Sequence, residues 1–309
     1  MDKKHYIGNK CVSRLGFGAW PLGNTAHGKT MSIEEGVTLV KKAFQAGLTF
    51  FDTAPNYANG RSEIILGEAL KASRNDVVIN TKFGHHPDGH IDFNEEKIIP
   101  SIEGSLSRLQ TDYLDSVLLH NPAMDILRGK TEHFKILKTL KERGTIKGYG
   151  VSVDSAEELD AVLSNSRVDV IELMANVFFQ STREYFEKIA AHNIALIIKV
   201  PLDSGWLTGK YSASSTFQDI RARWTKADLS RRDELVNTLK KQLNTNDLLP
   251  YAMGFLWSYD AITTVIPGIR NQAQLEAHLK AMETPFPKNL KQELEAFYDM
   301  HIASNPLPW

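Results

Sequence analysis

Phe50-Phe51-Asp52-Thr53-Ala54-Pro55-Asn56-Tyr57-Ala58-Asn59-Gly60-Arg61-Ser62-Glu63 is the stretch whose reading decides the fold. The apolar run that begins at Gly47 ends here in a carboxylate. A loop carrying a tyrosine follows, and Ser62-Glu63 opens a helical pattern through Ile64, Ile65, Leu66 and Leu70. The reading is strand, loop, helix, with Asp52 at the C-terminal tip of the strand and Tyr57 in the loop above it. The arrangement recurs twice. Val77-Val78-Ile79-Asn80-Thr81 ends in Lys82, and Ser116-Val117-Leu118-Leu119 ends in His120, each before a polar loop and another helical pattern. In a barrel of parallel strands alternating with helices, the C-terminal strand tips converge on one rim, where catalytic residues are found. Asp52, Tyr57, Lys82 and His120 are therefore expected to meet.

The same alternation extends along the chain. Ser32 with Glu35 predicts a capping box before a helix ending near Gly47. Ile98, Ile102, Leu106 and Leu109 stand at helical spacing in a helix starting near Asn94. Further helices are predicted over 131–143, 155–163, 181–192 and 271–281, and strands over 15–20, 146–153, 168–173, 194–200 and 263–266. A long loop is expected from Asp203 to about Ser230, then two helical stretches. Eight strands in βα alternation predict an α/β protein, a TIM (β/α)8 barrel. A hairpin over 5–13, turning at Gly8-Asn9, precedes it as a cap. A last helix through Leu290, Leu294, Phe297 and Tyr298 and a Pro-rich tail ending in Trp309 follow it; the tail is expected over the pocket mouth. No linker or shift in composition divides the chain, so residues 1–309 are expected to form a single domain. Gly16-Phe17-Gly18 is not a dinucleotide fingerprint, because Pro21 stands where the third glycine and a helix should be.

The bulk numbers set outer bounds. With 36 Lys and Arg against 37 Asp and Glu, interspersed, nothing points to a nucleic-acid or anionic-membrane surface. A single cysteine, Cys11, forms no internal disulfide and fits a reducing compartment. The start, Met1-Asp2-Lys3-Lys4-His5-Tyr6, leads into no apolar h-region, and no apolar run is long enough to span a bilayer. The expectation is a soluble cytoplasmic protein, a monomer by default.

The four rim residues have a chemistry in common. A tyrosine hydroxyl ordinarily titrates near about 10, too high for an efficient donor at neutral pH. A neighbouring ammonium stabilises the tyrosinate and lowers that value. Lys82 is expected to supply the charge, Asp52 to hold it, and His120 to bond a substrate oxygen or relay the proton. Taken singly, each has a bland reading: a loop-capping Asp, a snorkelling Lys, a satisfied buried His. Convergence at three strand tips favours function. His85, His86 and His90 lie in a loop with Pro87 and Gly89, without the ligand spacing of a metal site, and are read as pocket rim with no metal. Of the tryptophans, Trp20 is the best pocket candidate, while Trp206, Trp224 and Trp309 are read as packing.

Taken together, Gly16-Phe17-Gly18-Ala19-Trp20, Asp52-Thr53-Ala54 with Tyr57, Thr81-Lys82, Leu118-Leu119-His120, Gly150-Val151-Ser152, Gly205-Trp206-Leu207-Thr208-Gly209-Lys210-Tyr211 and Ile266-Pro267-Gly268 form a specific set. In this order and spacing the sequence resembles an aldo-keto reductase over nearly its whole length. The resemblance implies NAD(P)H bound across the C-terminal rim, Tyr57 as general acid, Lys82 and Asp52 tuning it, and His120 orienting the carbonyl of a small-molecule substrate. The nicotinamide supplies hydride, so no metal is needed.

The resemblance also implies cofactor contacts from Trp20, Ser152, Glu172, Asn176, Lys199, Pro201, Leu202, Gly205, Leu207, Gly209, Lys210, Gly268, Arg270 and Gln274. Some of these depart from the family's usual residues. Val153 replaces an asparagine, Glu172 a glutamine, Lys199 a stacking aromatic, and Ala277-His278 a Glu-Asn pair. Lys199 is expected to offer its charge to the pyrophosphate, as are Arg221 and Arg223 in the loop from Asp203. Arg270 is placed to meet an adenosine 2′-phosphate, so NADP(H) is expected over NAD(H). Two other functions fit the same motifs: a redox-sensing or regulatory barrel that binds NADPH with little turnover, and an NAD(P)-dependent sugar dehydrogenase running oxidatively.

Overall fold

Strand alternation builds a closed ring in the computed structural model, which describes residues 5–26 and 29–309. Residues 1–4, read above for a leader, and His27-Gly28 lie outside the described residues. Strands β1 (His5–Ile7) and β2 (Lys10–Val12) pair antiparallel across the Gly8-Asn9 turn, with Gly8 at φ 60°. Then come β3 (Phe17–Gly18), a small ribbon of β4 (Thr25–Ala26) and β5 (Lys29–Thr30), and the strands β6 (Phe50–Asp52), β7 (Val78–Phe83), β8 (Ser116–His120), β9 (Tyr149–Val153), β10 (Val170–Met174), β11 (Ala195–Lys199) and β12 (Ile262–Val265). Eight of these form one sheet in the order β3-β6-β7-β8-β9-β10-β11-β12, every neighbouring pair parallel.

The ring closes at the glycine pair that imitates a dinucleotide motif. Gly16 N donates to Val265 O at 2.8 Å and Gly18 N to Pro267 O at 3.0 Å, bridging Leu15 to Val265 and Gly18 to Gly268. A Cβ on Gly18 would lie 2.8 Å from the carbonyl oxygens of both Ile266 and Pro267. Only glycine lets the first and last strands approach this closely.

Helices α1 (Ile33–Gln45), α2 (Arg61–Leu70), α3 (Ile98–Leu109), α4 (Met124–Leu127), α5 (His133–Glu142), α6 (Ala156–Asn165), α7 (Tyr185–Ala191), α8 (Lys226–Gln242), α9 (Leu249–Trp257), α10 (Gln272–Glu283) and α11 (Leu290–His301) complete the described elements. Three start on reciprocal caps. Ser32 with Glu35, Ser155 with Glu158 and Thr225 with Asp228 each satisfy two otherwise orphaned backbone donors, worth about 1 kcal/mol apiece. The Thr225 cap ends the long loop five residues before the Ser230 boundary read from the sequence. The stretch from Asp203 is also partly wound into 3₁₀ turns at Asp203–Thr208 and Ile220–Arg223. At the first of 146–153, Ile146 makes only a bridge to Leu114, and the strand proper begins at Tyr149. The short helix α4 was not legible from the sequence.

Side chains alternate across each strand. Phe51, Ile79, Val117, Leu119, Val151, Ile171, Leu196 and Ile198 pack outward in the large core shared with the helices. Phe50, Val78, Leu118, Val170 and Ile197 form a separate inner cluster with Ile7 and Val12 of the hairpin, which plugs one end of the barrel. Each such side chain is worth about 1.5–3 kcal/mol when fully buried. By the same alternation Asp52, Lys82, His120, Ser152, Glu172 and Lys199 take the inward parity. Val153 takes the outward one and packs in the outer core. Its difference from the usual asparagine therefore falls in the helix-facing layer, away from the lumen.

The tail lies against α8 and the segment before it. Leu307 is buried, the Arg232 guanidinium donates to Pro308 O at 2.6 Å and Arg231 bonds Asn305 O. Trp309 packs on Trp224, with ring centroids 6.2 Å apart. Among the described residues no helix is long and apolar enough to cross a membrane.

Candidate active site

Lumen-facing parity brings a polar cluster to the end of the barrel opposite the hairpin. Asp52 closes β6 and Lys82 is the fifth residue of β7. Lys82 Nζ lies 2.7 Å from both Asp52 carboxylate oxygens, 3.0 Å from Thr53 O and 3.3 Å from Glu172 Oε2. Its side chain has no solvent exposure, so these contacts, with the centre of the Tyr57 ring 5.3 Å away, stand in for its lost hydration. Asn80, two residues before Lys82 and on the same face, donates to Asp52 Oδ1 at 2.6 Å and accepts from Ser116 Oγ at 2.5 Å.

Tyr57 is presented by a loop with unusual backbone. Ala58, Asn59 and Gly60 all adopt positive φ, at 49°, 56° and 83°. Left-handed backbone at a non-glycine residue costs of order 1 kcal/mol and persists only where the surroundings impose it. Ser62 supplies one restraint, bonding Thr53 Oγ1 at 2.9 Å and Ala19 O at 3.0 Å. The Tyr57 ring meets His120 edge-on at 6.2 Å, with Lys82 Nζ 5.3 Å from the ring centre. All four rim residues of the sequence reading therefore stand together.

Electrostatics correct one part of that reading. Burial pushes the Tyr57 hydroxyl up; Lys82 pulls it down, while Asp52 and Glu172 push it up again, and the net is above the ordinary value. The expected lowering fails first because burial outweighs the pull of the ammonium, and then because the two carboxylates around Lys82 add to the upward push. Burial and Glu172 raise Asp52 to about 7, against the opposing pull of Lys82. Burial also acts upward on Glu172, but Lys82 and Lys199 outweigh it and hold it below its usual range. Burial, with Lys82, His85 and Lys199 nearby, drives His120 well below the imidazole range, so it is neutral.

His85 stacks on His120 at 4.2 Å with the rings inclined by 22°. The sequence reading placed His85 at the rim but missed this contact. His86 turns elsewhere, its Nε2 3.1 Å from Asp92 O, and among the described residues no three His, Cys, Asp or Glu are disposed to hold a metal.

The predicted cofactor residues fall into three neighbourhoods, with Trp20 apart on the loop after β3, half exposed. In the lumen, Ser152 Oγ donates to Glu172 Oε1 at 3.0 Å, and Lys199 Nζ donates to Ser152 Oγ at 2.8 Å. Lys199 also pairs with Asp154 at 3.0 Å, so its charge is engaged at the rim. After β11, Pro201, Leu202, Gly205, Leu207, Gly209 and Lys210 follow a strained bend. Val200, Asp203 and Ser204 have φ of 54°, 45° and 52°, and Gly205 has 100°. A β-branched residue in that region is a true outlier. Asn176 braces it, donating to Val200 O at 3.0 Å, and both ends of its side chain are spent on backbone. Leu207 is buried, Lys210 is exposed over the Tyr211 ring, and Arg221 is paired with Asp219.

The third neighbourhood is the head of α10. Gly268 lies at the barrel seam, Gln274 accepts from Arg270 N at 2.8 Å, and Arg270 Nη2 donates to Asn24 O at 2.9 Å. Arg270, Lys42 and Gln272 line a cavity of about 650 Å³ that Glu34 and Glu35 share. His278 is buried on α10, directed into the protein.

The sequence profile of the Aldo/keto reductase family matches residues 14–299. The chain belongs to the aldo/keto reductase family. As a family member it stands among oxidoreductases. It is 32% identical to the aldo-keto reductase YhdN of Bacillus subtilis strain 168 over 280 residues, 86% of this chain and 84% of that one. It is 29% identical to a probable voltage-gated potassium channel subunit beta of Oryza sativa subsp. japonica, covering 88% of each. Among solved structures, the holo form of an aldo-keto reductase from Bacillus halodurans superposes with a TM-score of 0.80 at 25% identity, covering 96% of each chain.

Proposed function

We propose that this family member reduces the carbonyl of a small aldehyde or ketone to the alcohol, using NADP(H). The reading rests on one observation above all: Tyr57 faces a neutral His120 at 6.2 Å and a buried ammonium, Lys82, at 5.3 Å.

The residues fit a dinucleotide. The cavity at the head of α10 offers Arg270 and Lys42 beside a helix N-terminus, a donor set suited to a phosphate. Glu34 and Glu35 share that cavity and oppose a further negative charge, although Glu35 is partly committed to its capping box. A bound nicotinamide supplies the hydride. Arg270 would meet the 2′-phosphate, and Ser152 and Glu172 would offer a hydroxyl and a carboxylate to the carboxamide. Trp20, the bend from Pro201 to Lys210, Asn176 and Gln274 would hold the rest of the molecule.

His120, neutral, donates an N–H to the substrate oxygen and fixes the carbonyl near Tyr57. Tyr57 delivers its hydroxyl proton to that oxygen as negative charge develops. Lys82 stabilises the tyrosinate left behind, and Asp52 holds the ammonium in place. A hydroxyl pushed above its ordinary value keeps its proton at neutral pH but gives it up less readily, so the transfer depends on the ammonium stabilising the tyrosinate as it forms.

The likeness to the rice protein, named as a probable channel beta subunit, favours a second reading: a regulatory barrel with little turnover. Initial rates with NADPH and NADH across aldehydes, ketones and the corresponding alcohols decide between them. Rapid NADPH oxidation with a carbonyl compound supports the reductase; tight cofactor binding without turnover on any of them supports the regulatory barrel.

A further inference from the structure

We propose that Glu172 is a positioning residue for proton delivery: by sharing Lys82 with Asp52, it withholds part of the ammonium's field from Tyr57 and sets the pH range in which the tyrosine keeps its proton. The inference rests on the reading of Tyr57 as the proton donor.

The geometry is a buried ammonium between two buried carboxylates. Lys82 Nζ is 2.7 Å from each Asp52 oxygen and 3.3 Å from Glu172 Oε2, and both carboxylates are almost fully enclosed. Asp52 suffices to hold the lysine, with Thr53 O as a third contact. Glu172 adds a second negative charge that orientation does not require. It is fixed there through Oε1 by the Ser152 hydroxyl, itself held by Lys199. Its Oε2 takes no hydrogen bond and faces Lys82.

The charged groups around the tyrosine are few. Asp52 comes from β6, Lys82 from β7, Glu172 from β10 and Lys199 from β11, the last offset by Asp154 at 3.0 Å. His120 and His85 are both held below the ordinary imidazole value by burial and contribute no charge at neutral pH. The inner set of Asp52, Lys82 and Glu172 therefore carries an excess of negative charge whenever both carboxylates are ionised. An excess negative charge destabilises a tyrosinate beside it. A glutamine at 172 removes the charge; with its oxygen turned to Lys82, its amide nitrogen can donate to the Ser152 hydroxyl oxygen.

Glu172→Gln and Glu172→Ser test this beside Glu172→Asp, which keeps the charge; two neutral variants guard against one misfolding. Carbonyl reduction and alcohol oxidation are measured from neutral to strongly alkaline pH, with Tyr57→Phe in parallel and folding followed by circular dichroism. In the neutral variants the alkaline limb of reduction and the rising limb of oxidation should both move down by roughly one to two pH units. Glu172→Asp should leave both limbs close to wild type. Limbs that stay in place in a folded neutral variant, or a uniform loss of rate without a shift, would reduce Glu172 to a structural part. Tyr57→Phe with near wild-type turnover would instead remove the reading of Tyr57 itself.

Discussion

Lys82 grips both oxygens of Asp52 at 2.7 Å, yet stands 5.3 Å from the centre of the Tyr57 ring. The ammonium is a partner of carboxylates and at the same time a neighbour of the tyrosine hydroxyl, which it pulls toward ionisation. Removing one member of a buried pair leaves the other uncompensated, at a cost of about 3–5 kcal/mol. The pair is therefore a fixed part of the rim, and its residual field is what reaches the hydroxyl.

Tyr57→Phe keeps the ring and its edge contact with His120 but has no proton to give. Turnover in reduction should fall about 10²–10⁴-fold with NADPH affinity nearly unchanged. Lys82→Met should be similarly impaired, and the double variant little worse than the worse single one, since both act in one proton transfer. Rates measured where hydride transfer is limiting decide the matter; a third of wild-type turnover in Tyr57→Phe would overturn the assignment.

Arg270→Ala should weaken NADPH binding about ten- to a hundredfold and NADH binding far less, the loss of one charge-assisted hydrogen bond. Fluorescence titration with each cofactor checks it. Equal losses would mean that Arg270, which also donates to Asn24 O, serves the loop and not the 2′-phosphate.

Deleting residues 304–309 removes the buried Leu307 and the carbonyl that the Arg232 guanidinium bonds. A buried leucine cut away costs about 2–5 kcal/mol. The truncated chain should fold with a clearly lower Tm in thermal denaturation. An unchanged Tm combined with an altered KM would place the tail's role at the pocket mouth instead.

His278 adds a pH-dependent term to stability. Burial lowers its imidazole to about 4 in the folded protein, against an ordinary value of 6.5. The unfolded chain takes up a proton through the interval between those values and the folded chain does not. The contribution is thus complete above about 6.5 and lost as pH falls toward 4, amounting to about 3 kcal/mol. His278→Leu should flatten this acid limb in denaturant titrations at several pH values, leaving the neutral-pH transition little changed.

Local pattern carried much of this molecule. Asp52, Lys82 and His120 end or nearly end apolar runs, and strand alternation puts Asn80 on the same face as Lys82, a partner that was readable and passed over. The Ser32-Glu35 and Ser155-Glu158 caps, the hairpin turn at Gly8 and the strand count follow from residues a few positions apart, because helices, turns and pleats are built from short-range contacts. Contacts across the ring belong to another level. Whether Glu172 reaches the ammonium that Asp52 already holds depends on the stagger of β6, β7 and β10 around the closed barrel. The sign of the shift at Tyr57, which the sequence alone put in the wrong direction, depends above all on how deeply barrel closure buries the hydroxyl. The stacking of His85 on His120 depends on how a loop folds back, and the seat of the tail depends on where α8 starts. In each case the deciding distance joins residues remote in the chain, and only closure of the barrel brings them within range.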